Sequence, residues 1–190
     1  MKDKKTFLYR LLWLPIVGVS KLFNCKIKNK DRIGNDRIIL AGTHTSIFDC
    51  LMLIASTKRP VHFLAKKELF VGVKGLLFRN MGLIPVDRSK KDRSSIDSAL
   101  EYLKKGDIIC IFPEGTTQKG RGLLPFKIGA VKIAHDSNTK ILPFVISGKY
   151  KPFSKDLRLE FGKAIKVKSD DLDKENEKLR NIIIDLLEGK

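Results

Sequence analysis

The segment Arg37-Ile-Ile-Leu-Ala-Gly-Thr-His-Thr-Ser-Ile-Phe-Asp49 changes character halfway along, and that change decides the fold. Residues 37–42 form a short apolar run rich in isoleucine, which reads as a buried strand. Residues 42–49 are polar and lead into a helical stretch predicted over 46–57. The alternation then repeats. Strands are predicted at 61–65, 83–86, 108–112 and 141–147, with a last one at 157–161, and helices at 67–80, 92–105 and 126–136. Short, near-continuous Ile/Val/Leu strands separated by helices specify an α/β fold with a mostly buried central β-sheet flanked by helices. The tail at 171–188 has acids in its first turn and Leu172, Leu179, Ile182, Ile183, Leu186 and Leu187 on one side, the pattern of an amphipathic helix that packs on the domain.

A chain of 190 residues suits one core. The expected organisation is a basic amphipathic membrane-associating segment over 1–30, the α/β domain over 31–168 with its motifs at 37–148, and the packing helix over 169–190. Charge is the compositional outlier: 38 Lys+Arg against 21 Asp+Glu give a net +17. Residues 1–30 carry +7 and 154–190 are neutral, so the remaining +10 lies among the motifs. An anionic partner follows: nucleic acid, anionic lipid or an acidic protein. No RNP-like aromatic motif or helix-turn-helix pattern is visible, so no nucleic acid is expected. Cys25, Cys50 and Cys110 show no CxxC or Cys/His spacing, so neither a disulfide framework nor a metal site is expected, and the predicted compartment is a reducing cytosolic face.

The most hydrophobic stretch is 7–23. A membrane span needs about 20 apolar residues, whereas the run between Arg10 and Lys21 is about half that and contains Pro15. No small-x-small cleavage site is clear, and the flank stays basic through Lys30. The reading that remains is an interfacial helix, with Phe7, Tyr9, Trp13 and Phe23 at headgroup depth and the lysines against an anionic membrane lipid surface. A helix packed only on its own domain is the alternative. The interfacial reading puts the protein on the cytoplasmic face of the cell membrane, peripheral or monotopic.

Ligands of open α/β sheets gather beyond the carboxyl ends of the strands. Three polar clusters fall there: Gly42–Asp49, Asp87-Arg88 and Pro113-Glu-Gly-Thr-Thr117. If Thr45 or Ser46 caps the next helix, Asp49 lies in its first turns, within reach of one nitrogen of His44. The other nitrogen is then a general base. Ser46 lacks a Gly-x-Ser-x-Gly elbow, so the base must activate a substrate hydroxyl or a water. An isolated His-x4-Asp spacing also recurs by chance, as a capping histidine beside an unrelated aspartate. Arg88 can clamp a phosphate or pair with Asp87 or Asp92. Glu114, in a tight Pro-Glu-Gly turn, can accept a hydrogen bond from a substrate hydroxyl or position Arg88. Lys119, Arg121 and Lys127 add charge on that side, and Lys66 is a further phosphate candidate with Lys67 as its rival.

Four ordered blocks, His44-Thr-Ser-Ile-Phe-Asp49, Gly82-Leu-Ile-Pro-Val-Asp-Arg88, Phe112-Pro-Glu-Gly-Thr116 and Ile141-Leu-Pro-Phe144, resemble the glycerolipid acyltransferase family, in particular its bacterial 1-acylglycerol-3-phosphate branch. The match covers about residues 37–148. The resemblance implies a thioester donor, acyl-CoA or acyl-acyl carrier protein, a lysophospholipid acceptor, and no other cofactor. It makes His44 the base that deprotonates the sn-2 hydroxyl of lysophosphatidic acid and Asp49 its orienting partner, with phosphatidic acid as product. Lys66 and Arg88 would hold the phosphate; Glu114, Gly115 and Thr116 would shape the acceptor pocket. The third block usually continues Glu-Gly-Thr-Arg, whereas position 117 is Thr, with Arg121 four residues on. Glycerol 3-phosphate or another lysophospholipid is the runner-up acceptor, and a non-catalytic basic binding protein the alternative outside enzymes.

Overall fold

The computed structural model describes residues 4–87, 89, 93–118 and 122–189. Among them, seven strands join in one sheet: β1 (Lys26–Lys28), β2 (Ile38–Gly42), β3 (Val61–Lys66), β4 (Ile84–Val86), β5 (Ile108–Ile111), β6 (Ile141–Ser147) and β7 (Arg158–Phe161). Their order across the sheet is β1-β7-β6-β2-β5-β3-β4, parallel throughout except where β7 runs against β6.

The strand interiors are apolar on both sides because helices cover both faces. Ile38, Leu40, Ile108 and Cys110 point toward α1 (Lys4–Leu22) and α2 (Asp49–Ala55), packing with Tyr9, Met52 and Leu53. Ile39, Ala41, Ile109 and Ile111 point the other way, toward Leu103 of α4 (Arg93–Lys104), Val131 of α5 (Gly129–Ser137) and Ile183 of α6 (Leu172–Glu188). The period-two alternation of a strand thus feeds two cores. Strand β2 leaves toward the α2 face while its neighbour β5 leads toward the α5 face. Adjacent parallel strands whose helices diverge open a crevice at their carboxyl ends.

The expected fold class and order of elements hold, with local differences. The stretch 67–80 divides into a 3-10 turn (Lys67–Phe70) and α3 (Gly72–Asn80), because Val71 is extended and Gly72 has φ +64°. Strand β1 escapes a reading based on hydrophobicity: it is a Lys-Ile-Lys edge strand. Both edges are short, and they carry lysines in β1 and Pro85 in β4, which discourages further pairing.

The orientation of α1 departs from expectation. Tyr9 is buried, and its hydroxyl donates to the Arg59 carbonyl. Trp13 Nε1 donates to the carbonyls of Thr57 (2.8 Å) and Ile54 (3.2 Å), covering the carboxyl end of α2. These two aromatics hold α1 on the domain instead of lying at headgroup depth, since their polar tips find partners only inward. Phe23 packs on Phe48 and Tyr150. The side chain of Phe7 lies outside those described. Leu11, Leu14, Val19 and Leu22 form the outward side of α1. No helix among the described residues is long and apolar enough to cross a membrane.

Candidate active site

The ends of β2 and β6 are locked before the chemistry begins. Gly42 faces Phe144 across the ladder, and a Cβ there would lie 2.0 Å from the Phe144 carbonyl oxygen. Thr43 then continues the pairing with its side chain: the Ile146 amide donates to Thr43 Oγ1 (2.8 Å), which in turn donates to the Ile146 carbonyl (3.3 Å).

Beyond Thr43 the chain wraps around one carboxylate. Asp49 is fully buried. Its Oδ2 accepts from His44 Nδ1 (2.9 Å), the Thr45 amide (2.7 Å) and the Ser46 amide (2.9 Å). Its Oδ1 accepts from Thr45 Oγ1 (3.1 Å) and the Tyr150 hydroxyl (2.6 Å). A buried carboxylate without partners would be strongly destabilising, and five donors supply what water would have given. Neither Thr45 nor Ser46 caps α2. Phe48 precedes its first residue, Asp49, whose side chain folds back onto the loop instead. An ionised Asp49 can only accept, so His44 carries its hydrogen on Nδ1. Nε2 has no partner among the described residues, and the ring is partly open to solvent (18% exposed). Phe112 stacks on the imidazole at 4.0 Å between centroids, fixing its plane.

Glu114 fixes the backbone of the same histidine. It is 4% exposed; Oε1 accepts from the His44 amide (3.3 Å) and Gln118 Nε2 (2.9 Å), and Oε2 from the Leu124 amide (2.8 Å). The Gln118 amide donates back to the His44 carbonyl (2.8 Å). The segments after β2 and β5 are zipped together through this carboxylate. In this structure Glu114 anchors the two loops through these bonds.

Gly115 has φ +70°, and Lys127 crosses directly above it: an added Cβ would lie 3.2 Å from Lys127 Cε and 3.3 Å from Nζ. Thr116 is exposed on the same turn. Of the two lysines after β3, Lys67 pairs with Asp87 at 3.2 Å. Hydrogen bonds from Ser89, with help from Lys67, hold the Asp87 carboxyl down at about 2. Lys66, at the exposed end of β3, has no ion-pair partner among the described residues. Arg88, Lys119 and Arg121 lie outside the described residues.

One member of the constellation was not singled out from sequence. Tyr150 follows β6 in a short polar loop and shares no spacing motif with His44 or Asp49. Only the placement of β6 beside β2 brings it to the carboxylate.

Comparison with known proteins gives a consistent picture. A family model described as Acyltransferase matches residues 24–147. The chain is 33% identical over 126 residues to the 1-acyl-sn-glycerol-3-phosphate acyltransferase of Bacillus subtilis, a match covering 65% of this chain and 62% of that protein. It is 30% identical over 158 residues to a probable 1-acyl-sn-glycerol-3-phosphate acyltransferase of Mycoplasma pneumoniae, covering 78% of this chain and 57% of the relative. The chain therefore spans less than two thirds of the length of these relatives. The crystal structure of the 1-acyl-sn-glycerophosphate acyltransferase of Thermotoga maritima superposes with a TM-score of 0.75, covering 100% of this chain and 85% of that one at 18% identity, so the fold is shared.

Proposed function

The chain belongs to the acyltransferase family, and we propose that it transfers an acyl group from a thioester donor to the sn-2 hydroxyl of 1-acylglycerol 3-phosphate, forming phosphatidic acid. The observation that carries this reading is the His44–Asp49 pair at the crevice, with Nδ1 committed to a buried carboxylate and Nε2 open to a ligand.

In the proposed reaction Nε2 takes the proton of the acceptor hydroxyl as its oxygen attacks the thioester carbonyl. The tetrahedral intermediate collapses, the C–S bond breaks, and the leaving thiolate takes the proton back from Nε2. Asp49 stabilises the transient imidazolium and prevents the ring from turning, while Phe112 supports it from the side. No acyl-enzyme is required. Lys66 at the end of β3 and Lys127 ahead of α5 supply positive charge for the acceptor phosphate, with Arg88 assigned the same role from sequence. Gly115 and Thr116 line the approach. Both acyl-CoA and an acidic acyl carrier protein suit the net +17.

Delivery from an anionic membrane surface fits the outward side of the protein. Helix α1 rests on α2 and α3. Leu14 of α1 is 70% exposed and Val73 of α3 is 86% exposed, and Leu11, Leu22 and Leu76 are exposed beside them. Near the dyad, Ile47 is 77% exposed. Exposed apolar residues of this size favour a lipid boundary, and lysines nearby favour anionic headgroups. An apolar groove of about 260 Å³ between α1 and α2, lined by Leu12, Pro15, Ile16, Val19, Leu51 and Met81, offers a hydrocarbon chain a seat next to the helix that Asp49 begins.

The deciding assay presents lysophosphatidic acid in anionic liposomes with palmitoyl-CoA or palmitoyl-acyl carrier protein and scores phosphatidic acid by mass spectrometry. Glycerol 3-phosphate runs in parallel. Product from lysophosphatidic acid alone is expected. Product from glycerol 3-phosphate alone would reassign the acceptor, and none with any pair would refute the reading.

A further inference from the structure

We propose that Tyr150 is a positioning residue of the catalytic dyad, setting the orientation and basicity of Asp49, and through it of His44, from the loop after β6. The hydroxyl reaches Asp49 Oδ1 at 2.6 Å, the shortest of the five bonds to that carboxylate, and does so on the oxygen opposite the one His44 uses. A hydrogen bond to an ionised oxygen is about twice as strong as a neutral one. Drawing electron density toward Oδ1 weakens Oδ2 as a partner for imidazolium, so Tyr150 tempers the base while fixing its carboxylate in place.

Among the described residues the one other donor to that oxygen is Thr45 Oγ1, at a longer 3.1 Å. Besides His44 and Tyr150 itself, the titratable groups around Asp49 are Cys25, Cys50 and Cys110; burial pushes the first two thiols up to about 11 and about 12 and Cys110 well above the ordinary thiol range, so all three are neutral. Burial and the Asp49 charge push the Tyr150 hydroxyl far above the ordinary phenol range, leaving it a donor at every working pH. The ring itself is clamped: Phe23, just past α1, meets it edge-on at 5.4 Å, and Phe48, just before Asp49, lies at 5.7 Å. Gly148 shapes the loop that delivers it; a Cβ there would lie 2.3 Å from the Asp156 carbonyl oxygen. The Phe153 amide ties the same loop to the Leu22 carbonyl at the end of α1 (2.6 Å).

This inference rests on the functional reading above, but part of its test needs no substrate. Tyr150→Phe keeps the clamped ring and removes only the hydroxyl. With three histidines in the chain, the His44 ring resonances can be assigned by comparison with His44→Ala. In Tyr150→Phe the His44 ring is expected to titrate about half a pH unit higher than in the wild-type protein, with His62 and His135 unmoved. In the acyl-transfer assay kcat should fall about tenfold at unchanged KM, with the acidic limb of the pH–rate profile displaced upward by the same half unit. In an Asp49→Asn background the second substitution should cost nothing further. Superimposable His44 titration curves would overturn the proposal, as would an equal cost of Tyr150→Phe with and without Asp49. Should Tyr150→Phe unfold, Tyr150→Leu, which keeps an apolar side chain against Phe23 and Phe48 and carries no donor, takes its place in the ring titration.

Discussion

His44 does little by itself; its environment makes it a base. Its amide, its carbonyl, its ring face and Nδ1 are each held by a different residue, which leaves Nε2 for the substrate. His44→Ala should therefore lower turnover by about 10²–10⁴-fold while the circular dichroism spectrum stays native. Glu114→Gln is a sharper probe of the surroundings. All three of its partners donate, so one end of the amide would face donors with an NH2 group. A loss of about 1–3 kcal/mol in urea unfolding is expected, together with reduced turnover. At this scale spacing and turn chemistry made His44, Asp49 and Glu114 candidates, and the family resemblance singled out the His44–Asp49 pair. Neither exposed what Glu114 holds, because the His44 amide lies 70 residues away along the chain.

Between elements, close approach decides which residues are allowed. Gly42→Ala would drive a methyl group into the backbone of β6, so a loss of about 3 kcal/mol is expected, read as a lowered urea midpoint at constant m. Trp13→Phe keeps an aromatic ring but removes the donor to the Thr57 carbonyl and one of the donors to the Ile54 carbonyl at the end of α2. It should cost about 1–2 kcal/mol and speed proteolysis within α1. The strands and most helices could be read from periodicity, since burial on both faces of a parallel sheet demands continuous apolar runs. The inward turn of Tyr9 and Trp13 could not. An apolar helix with aromatic residues looks alike whether it meets lipid or protein, and only carbonyls positioned by α2 settle which way those polar tips point.

Taken whole, the molecule is a basic α/β domain with an apolar flank beside its crevice. Leu14→Ser with Val73→Ser should weaken partition onto anionic vesicles at least about tenfold, since each exchange removes about 1.5–3 kcal/mol of potential burial. Added salt should weaken the binding of both forms by screening the lysines. Alkaline pH acts on the interior instead. The Cys25 and Cys50 thiols are raised in the folded state from the ordinary 9.0 to about 11 and about 12. Their contribution to stability is complete below about pH 9 and is lost as pH climbs toward 11–12, so the melting temperature should decline across that interval. By itself the sequence determined the alternation of strands and helices and the strand-end positions of the His44–Asp49 and Glu114 segments, which depend on neighbours a few residues apart, while the pairing of His44 with Asp49 was singled out only by the family resemblance. The tertiary structure alone decided that Tyr150 completes the carboxylate's shell, that Glu114 clasps the loop of the base, and that α1 docks through its aromatics. The physical reason is the strand order: with β2 seated between β6 and β5, residues 101 and 70 positions apart converge on one loop, and no local pattern encodes that adjacency.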